Sequence, residues 1–520
     1  MGRLCRAILP LLLSMALPAV AQTLTVGIDV EPPSLDPHFR MLSPDEAVSR
    51  HFFDALILQD ERQRMLPGLA LSWRAVDETT WDFQLRPSVE FADGSKFTAE
   101  DVAYSLKRPP TVRNAAGGYQ LFTRGISEVE ILDPLRVRVH TVTPDPTLPR
   151  ELSVIWIVSH RAGDAASADF DSGKAMIGTG PFSLVEWRKG ERIALTRNER
   201  YWGRKPVWKE VVLRPIPNDS ARVAALLAHD VDAISAVPPS AIPELKNRAG
   251  IRLVETGSAR PTFLDFDTYS DRSPYVTDRN GDPLDRNPLK DARVRIAISK
   301  SIDRRGIVAR ILEGAGEPAS QMLPPGYYGA SPLLEPEAYD PEGARRLLTE
   351  AGYPQGFGIS LHVSTSRTPF DEKVAVAVAE MTSRIGIATK VVSLPDSILR
   401  TRAINHELSF MLFGYYSETA EPSPWLRGIV ATIDPVRGWG YVNRGRHSIP
   451  EVDRLLEQGL ATIDDDRREQ LLRKATEIAI GQAVIVPLFH AGAVWALRDG
   501  LTYVPRKDTY TLSQDIVPAP

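Results

Sequence analysis

Few side chains in this chain are spaced for chemistry, and each group that is has a plainer job open to it. The nine histidines are scattered along the sequence. His51 and Asp54 would share one face of a helix, but two groups do not complete a metal site, so a surface or core role suits them better. Asp278-Arg279-Asn280-Gly281 hints at a calcium loop. With Gly281 as the loop glycine, however, the first ligand would be Val276 and the last Asn287, neither of them an acid, which leaves an Asn-Gly turn. Asp464-Asp465-Asp466 ahead of Arg467-Arg468 suits the positive end of a helix dipole. No His-Glu-x-x-His, Walker lysine loop, Gly-x-Ser-x-Gly elbow or paired-glycine dinucleotide fingerprint occurs. The expectation is a protein without catalytic residues, metal or cofactor, that is, not an enzyme.

The elements that could position anything else are those of an exported α/β protein. With 520 residues, 43% hydrophobic and 25% charged, the chain is long enough for two or three domains. Residues 1–21 carry Arg3 and Arg6, an apolar run over 7–17 and the small-residue site Ala19-Val20-Ala21, the make-up of a cleaved signal peptide with Gln22 as the mature N-terminus. The run is too short to span a bilayer and contains Pro10, with Pro18 just after it. The one cysteine, Cys5, precedes that run and is badly placed for a lipid anchor. Without it the mature chain has no disulfide, thiolate metal site or cysteine nucleophile. Removing Arg3 and Arg6 leaves 60 basic against 66 acidic residues, a formal charge of −6 in place of −4, which excludes nucleic acid as a partner on charge grounds. A freely soluble, unanchored protein of the periplasm is expected.

Along the chain, strands and helices alternate, predicting mixed sheets. Leu24, Val26, Ile28 and Val30 alternate as a strand, and 359–363, 389–392 and 408–413 read as further strands. Thr98 with Asp101, and Asp340-Pro341, mark helix starts, the second helix stopping at Gly352. Residues 371–385 and 467–484 read as amphipathic helices. In 177–206, Gly178, Gly180 and Pro181 predict a sharp turn, with glycine available for positive φ. Phe182, Leu184 and Glu186 alternate with Ser183, Val185 and Trp187, and after Lys189-Gly190 the alternation resumes at Ile193 and Leu195, which predicts a hairpin. Tyr201-Trp202-Gly203 closes it.

That 177–206 stretch resembles the signature of family 5 of the extracytoplasmic solute-binding proteins, the dipeptide- and oligopeptide-binding type that feeds ABC importers. The likeness extends over nearly the whole chain, through Leu35-Asp36-Pro37, Leu66-Pro67-Gly68-Leu69-Ala70 with Trp73, Phe91-Ala92-Asp93-Gly94 with Phe97-Thr98-Ala99-Glu100-Asp101-Val102, Val294-Arg295-Ile296-Ala297-Ile298 with Asp303-Arg304, and Ala351-Gly352-Tyr353-Pro354. The resemblance implies a two-lobed periplasmic binding protein fold of the cluster C type, with mixed sheets, a hinge and an extra small α/β domain. Lobe I would comprise 22–64, 177–269 and 483–520, the small domain 65–176 and lobe II 270–482. The tail over 491–515 would return to lobe I, with Trp495 as a packing residue.

The resemblance also implies a site. Family members that bind peptides carry a Gly-Trp-x-x-Asp-x-x-Asp/Glu-Pro loop, and Gly414 to Pro422 matches it in register, with Tyr415 for the tryptophan and Glu418 for the aspartate. Glu418 would hold a peptide's ammonium, which needs a carboxylate partner when it leaves water; the competing reading is a solvated loop acid. Arg367 stands where dipeptide-binding relatives hold the ligand's carboxylate, a task its planar fork fits; the competing reading is a salt bridge at a helix start. Main chain from Arg40, Met41, Leu42 and Ser43 and from Tyr415, Tyr416 and Ser417 would add the ligand as a strand. The expected function is a monomeric periplasmic receptor that passes a small peptide to an inner-membrane ABC permease. Alternatives are the same fold with a nickel chelate, haem, opine or saccharide, or a periplasmic chaperone or hydrolase.

Overall fold

The structure, a computed structural model, describes residues 23–115 and 118–520, so the expected signal segment and Cys5 lie outside the described residues. A mixed twelve-stranded sheet runs through the molecule. At one end Thr23–Ile28 pairs in parallel with Glu210–Pro215 and with Ala233–Ile234, and the hairpin Phe182–Arg188/Arg192–Arg197 extends that edge. At the other end Phe357–Ser364 pairs in parallel with Ile387–Leu394 and with Phe410–Gly414. Two long antiparallel strands, Ile251–Phe266 and Ile485–Arg498, join the ends.

Those two strands belong to two hydrophobic cores at once. Trp495 and Leu497 pack into the first core with Leu24, Val26, Leu195 and Val211, while Leu264, Phe266, Val486 and Phe489 pack into the second with Val294, Ile298, Val363 and Val374. The antiparallel sheet made by Ala70–Asp77, Thr80–Leu85, Arg136–Thr141 and Ile126–Asp133 puts Trp81, Phe83, Val137 and Val139 into the first core, so this small sheet and the first half of the large one share an interior. In the second half the sheet is covered on both faces. Phe263, Met411 and Phe413 turn to Leu456 and Leu472 of helices Pro450–Ala461 and Asp465–Gly481. Their neighbours Leu264, Phe266, Phe410 and Leu412 turn to the opposite side, as the period-2 geometry of a strand requires.

The pairing of the long strands breaks at two places, each beside a proline. Gly257 opposes Gly492 and Pro261 opposes His490, so Ser258, Ala259 and Arg260 bulge out of register. A second shift separates Thr262 from Phe263, which opposes Pro487. Proline cannot donate to a ladder and is tolerated inside a sheet at such bulges.

Local predictions are met at the helix starts. Asp340 Oδ1 accepts from the Gly343 N–H at 2.8 Å, Asp464 Oδ1 from Arg467 N–H at 2.7 Å, and Gly352 takes φ +90° after helix Pro341–Glu350. Arg295 and Arg304 are almost wholly buried; Arg295 bonds the carbonyl of Ala483 in the turn that leads into the long strand 485–498, and Arg304 bonds Pro487 O within that strand.

Three expectations need correction. Gly178 and Gly180 do not use positive φ; a Cβ on either would lie 2.0 Å from Phe52 O or 2.4 Å from Phe52 C, so close passage of two backbones excludes any side chain. The strand alternation in the hairpin is interrupted by a bulge between Leu184 and Glu186, which leaves Val185 exposed. His51 and Asp54 follow the helix Ser43–Ser49 and share no helical face. His51 Nδ1 bonds Ala47 O at 2.8 Å, its Nε2 accepts from Ser513 N–H, and burial pushes its pKa down to about 4.

Candidate functional site

A cavity of about 730 Å³ opens where the long strands pass between the two cores. Its wall takes Ser43, Ala47 and Val48 from the helix Ser43–Ser49, Arg260 from the bulge, Ala493 and Trp495 from the facing strand, Thr509 and Thr511 from the C-terminal segment, and Ser366, Pro369 and Phe370 from the turn before helix Asp371–Ser383. Both cores therefore contribute. Trp495 is a core residue that donates Nε1–H to Thr511 Oγ1 at 2.8 Å, and it faces the cavity as well.

Charges on this wall differ in how they are answered. Arg222 bonds carbonyls of Ile216, Ser235 and Ala236 and the carboxylate of Asp219. Arg260 forms no ion pair among the described residues. Its Nη2 donates to Ser43 Oγ at 2.6 Å and Thr509 Oγ1 at 3.1 Å, its plane lies 4.5 Å from the Tyr416 ring centre, and its buried Nε has no partner. Thr509 reaches it from φ +67°, a conformation that costs a β-branched residue about 1–3 kcal/mol. Sequence reasoning missed Arg260, one of several charged and polar residues along strand Ile251–Phe266, with no signal that sets it apart.

The expected site residues fall into three places. Ser43 is on the cavity wall, whereas Leu42 is exposed as the residue that opens the helix and Met41 packs on the first core. Tyr416 lies under Arg260, its buried hydroxyl unpartnered. Tyr415 gives its N–H to Pro261 O at 3.1 Å and packs its ring on the second half of the molecule. Ser417 and Glu418 are stitched to the opposite side by their carbonyls, which accept from Gln63 Nε2 at 3.4 Å and Gln59 Nε2 at 3.1 Å. Tyr327 adds a third such bond by donating to Gln63 Oε1 at 3.1 Å.

The Glu418 side chain forms no ion pair among the described residues. Burial pushes its carboxyl up to about 7, against the pull of its own backbone N–H and of Arg260. Nearby Glu46, wholly buried, is pushed further, to about 8, by burial, although it accepts from Tyr510 OH at 2.5 Å. The loop's second acid, Glu421, is paired with Arg468, both side chains buried, and takes the Ser423 hydroxyl. That pair anchors the loop to helix Asp465–Gly481.

Arg367, next to Ser366 of the wall, donates from Nη2 to Asp371 Oδ1 at 2.5 Å, and its side chain is 16% exposed. Its Nη1 lies 1.9 Å from where a Cβ on Gly414 would stand, so the glycine at the head of the loop leaves room for the guanidinium.

The architecture and the sequence both have known relatives. Residues 64–432 match the family model described as bacterial extracellular solute-binding proteins, family 5 Middle. Haem-binding protein A of Haemophilus influenzae is 26% identical over 452 residues, spanning 82% of this chain and 79% of that protein. The dipeptide-binding protein of Escherichia coli is 26% identical over 453 residues, 82% of this chain and 81% of its own. Among solved structures, the unliganded open form of the periplasmic murein tripeptide-binding protein MppA superposes with a TM-score of 0.80 at 24% identity, covering 96% of this chain and 97% of that one.

Proposed function

This chain belongs to the bacterial extracellular solute-binding proteins, family 5, and from that premise we propose that it is a periplasmic receptor that captures a di- or oligopeptide in the cavity between its lobes and hands it to the inner-membrane permease of an ABC importer. The observation that carries the reading is the cavity itself. At about 730 Å³ it is of ligand size, it is walled from both cores, and it lies where the two connecting strands are irregular. A ligand touching both walls binds the closed arrangement better than the open one and shifts the population by that difference. The Gln59, Gln63 and Tyr327 bonds across the gap would form on closure. In this reading Ser43 flanks the chain on the cavity wall, and the loop of Tyr416, Ser417 and Glu418, which does not itself line that wall and meets it through Arg260 stacked on Tyr416, would bring Glu418 to the peptide's ammonium on closure. Tyr415 has already given its N–H to Pro261, so β-type pairing has fewer free groups there than the sequence implied. The protein acts as a soluble monomer and binds its ligand without turning it over.

A second reading keeps the fold and changes the ligand, because a relative of the same identity is a haem-binding protein. The apolar faces of Val48, Phe370 and Trp495 on the wall suit either class. Thermal melts of the mature protein with di-, tri- and tetrapeptides, haem, a nickel chelate, an opine and a saccharide separate them; a shift with peptides alone is expected, and a shift with any other class alone overturns the peptide reading. Mass spectrometry of ligand released from natively purified protein should recover an intact peptide.

A further inference from the structure

We propose that Arg260 is the carboxylate receptor of the cavity, an assignment that rests on the peptide reading above. Among the charged groups on the wall, Arg222 is filled by four carbonyls and Asp219, Asp29 accepts from the Ser235 hydroxyl, and His51 is bonded on both ring nitrogens. Arg260 alone combines a permanent positive charge with unfilled donors: its Nε is buried without a partner, and the two groups it does bond, Ser43 Oγ and Thr509 Oγ1, are neutral. A guanidinium with no acid in direct contact keeps its fork open, and an incoming carboxylate would use that fork in two parallel bonds.

Position supports the same role. The bulge at 258–260 frees Arg260 from the ladder, and the side chain is then held from three directions: by Ser43 on the first core's helix, by Thr509 on the C-terminal segment and by the Tyr416 ring on the loop of the second half. A carboxylate on Arg260 would therefore sit where both halves and the strands connecting them meet. Arg367, the other cation beside the cavity, likewise has a buried Nε without a partner, but it already has Asp371 as counter-charge.

The test is calorimetric titration of the mature protein with di-, tri- and tetra-alanine, each as free acid and as C-terminal amide. The wild type should prefer the free acid by about 10- to 100-fold, the range of a charge-assisted pair. Arg260→Gln should erase that preference, leaving acid and amide alike, while Arg367→Ala keeps it. Wild-type protein that binds acid and amide equally, or an Arg260→Gln protein that retains the preference, overturns the assignment and leaves peptide binding standing. Failure of the wild type to bind any of the peptides overturns both. If Arg260→Gln does not fold, Arg260→Lys decides, since it keeps the charge and loses the fork: the preference should fall to a few-fold, and an unchanged preference counts against Arg260.

Discussion

Two arginines beside one cavity have opposite electrostatic situations. Arg367 lies at a strand-to-helix turn, and the helix it precedes supplies Asp371 four residues on, with the Thr368 hydroxyl on the same oxygen. Arg260 lies in the middle of a strand, lifted out by a bulge, with two hydroxyls and an aromatic ring as direct partners and Glu418 acting on it only through space. A guanidinium at a helix start readily finds an acid in the first turn, because acids there are favoured by the helix dipole. One in a bulge has only what distant segments bring to it. The difference separates an arginine that holds the fold from one whose charge remains for a ligand.

The comparison can be broken from its structural side first. Arg468→Ala removes a charge paired with Glu421 and leaves that acid buried alone, so it should lower unfolding free energy by about 3–5 kcal/mol in urea titration. A loss below about 1 kcal/mol would mean that answered charges here are not structural. Arg367→Ala strands Asp371, whose side chain is 1% exposed, and should cost about 1–3 kcal/mol by the same assay. It should weaken free-acid and amidated peptides equally; a loss confined to free acids would move the carboxylate site to Arg367. The smallest effect sharpens the third charge. Glu418→Gln should weaken a free-amine peptide about tenfold and leave its N-acetylated analogue unchanged. Because Glu418 titrates near 7, above its ordinary range, it is largely protonated in the free protein at lower pH. Affinity for free amines should thus rise with pH up to about 7 and fall again as the peptide amine deprotonates near about 8. A flat profile, or one the N-acetylated peptide shares, removes Glu418 from the amine site.

Much of the scaffold is written in short-range chemistry. Asp340, Asp464 and the Lys189-Gly190 turn act on residues two to four positions away, and the structure has them as the sequence predicts. The family-specific strings carry physics of longer range. Arg295 and Arg304 are tethers to the start of a strand almost 200 residues later and to the turn before it, and Gly178 and Gly180 are small because Phe52 passes against them. From sequence such residues can be matched but not explained.

The candidate site divides the same way. Gly414 to Pro422 was legible as a loop after a strand, and its two acids stand out in the sequence. Which acid is spent is decided by packing: Glu421 meets Arg468, and Glu418 meets none. Nothing near Arg260 in sequence marks it, because its bulge exists only through pairing with a strand more than 200 residues away and its partners come from positions 43, 416 and 509. The sequence by itself determined the elements, their caps and the family they assemble into, since those depend on local hydrogen bonding and on the period of apolar residues. Only the tertiary structure decided which buried charges are neutralised at home and which face the cavity, since a charge's environment is set by whatever the fold packs against it.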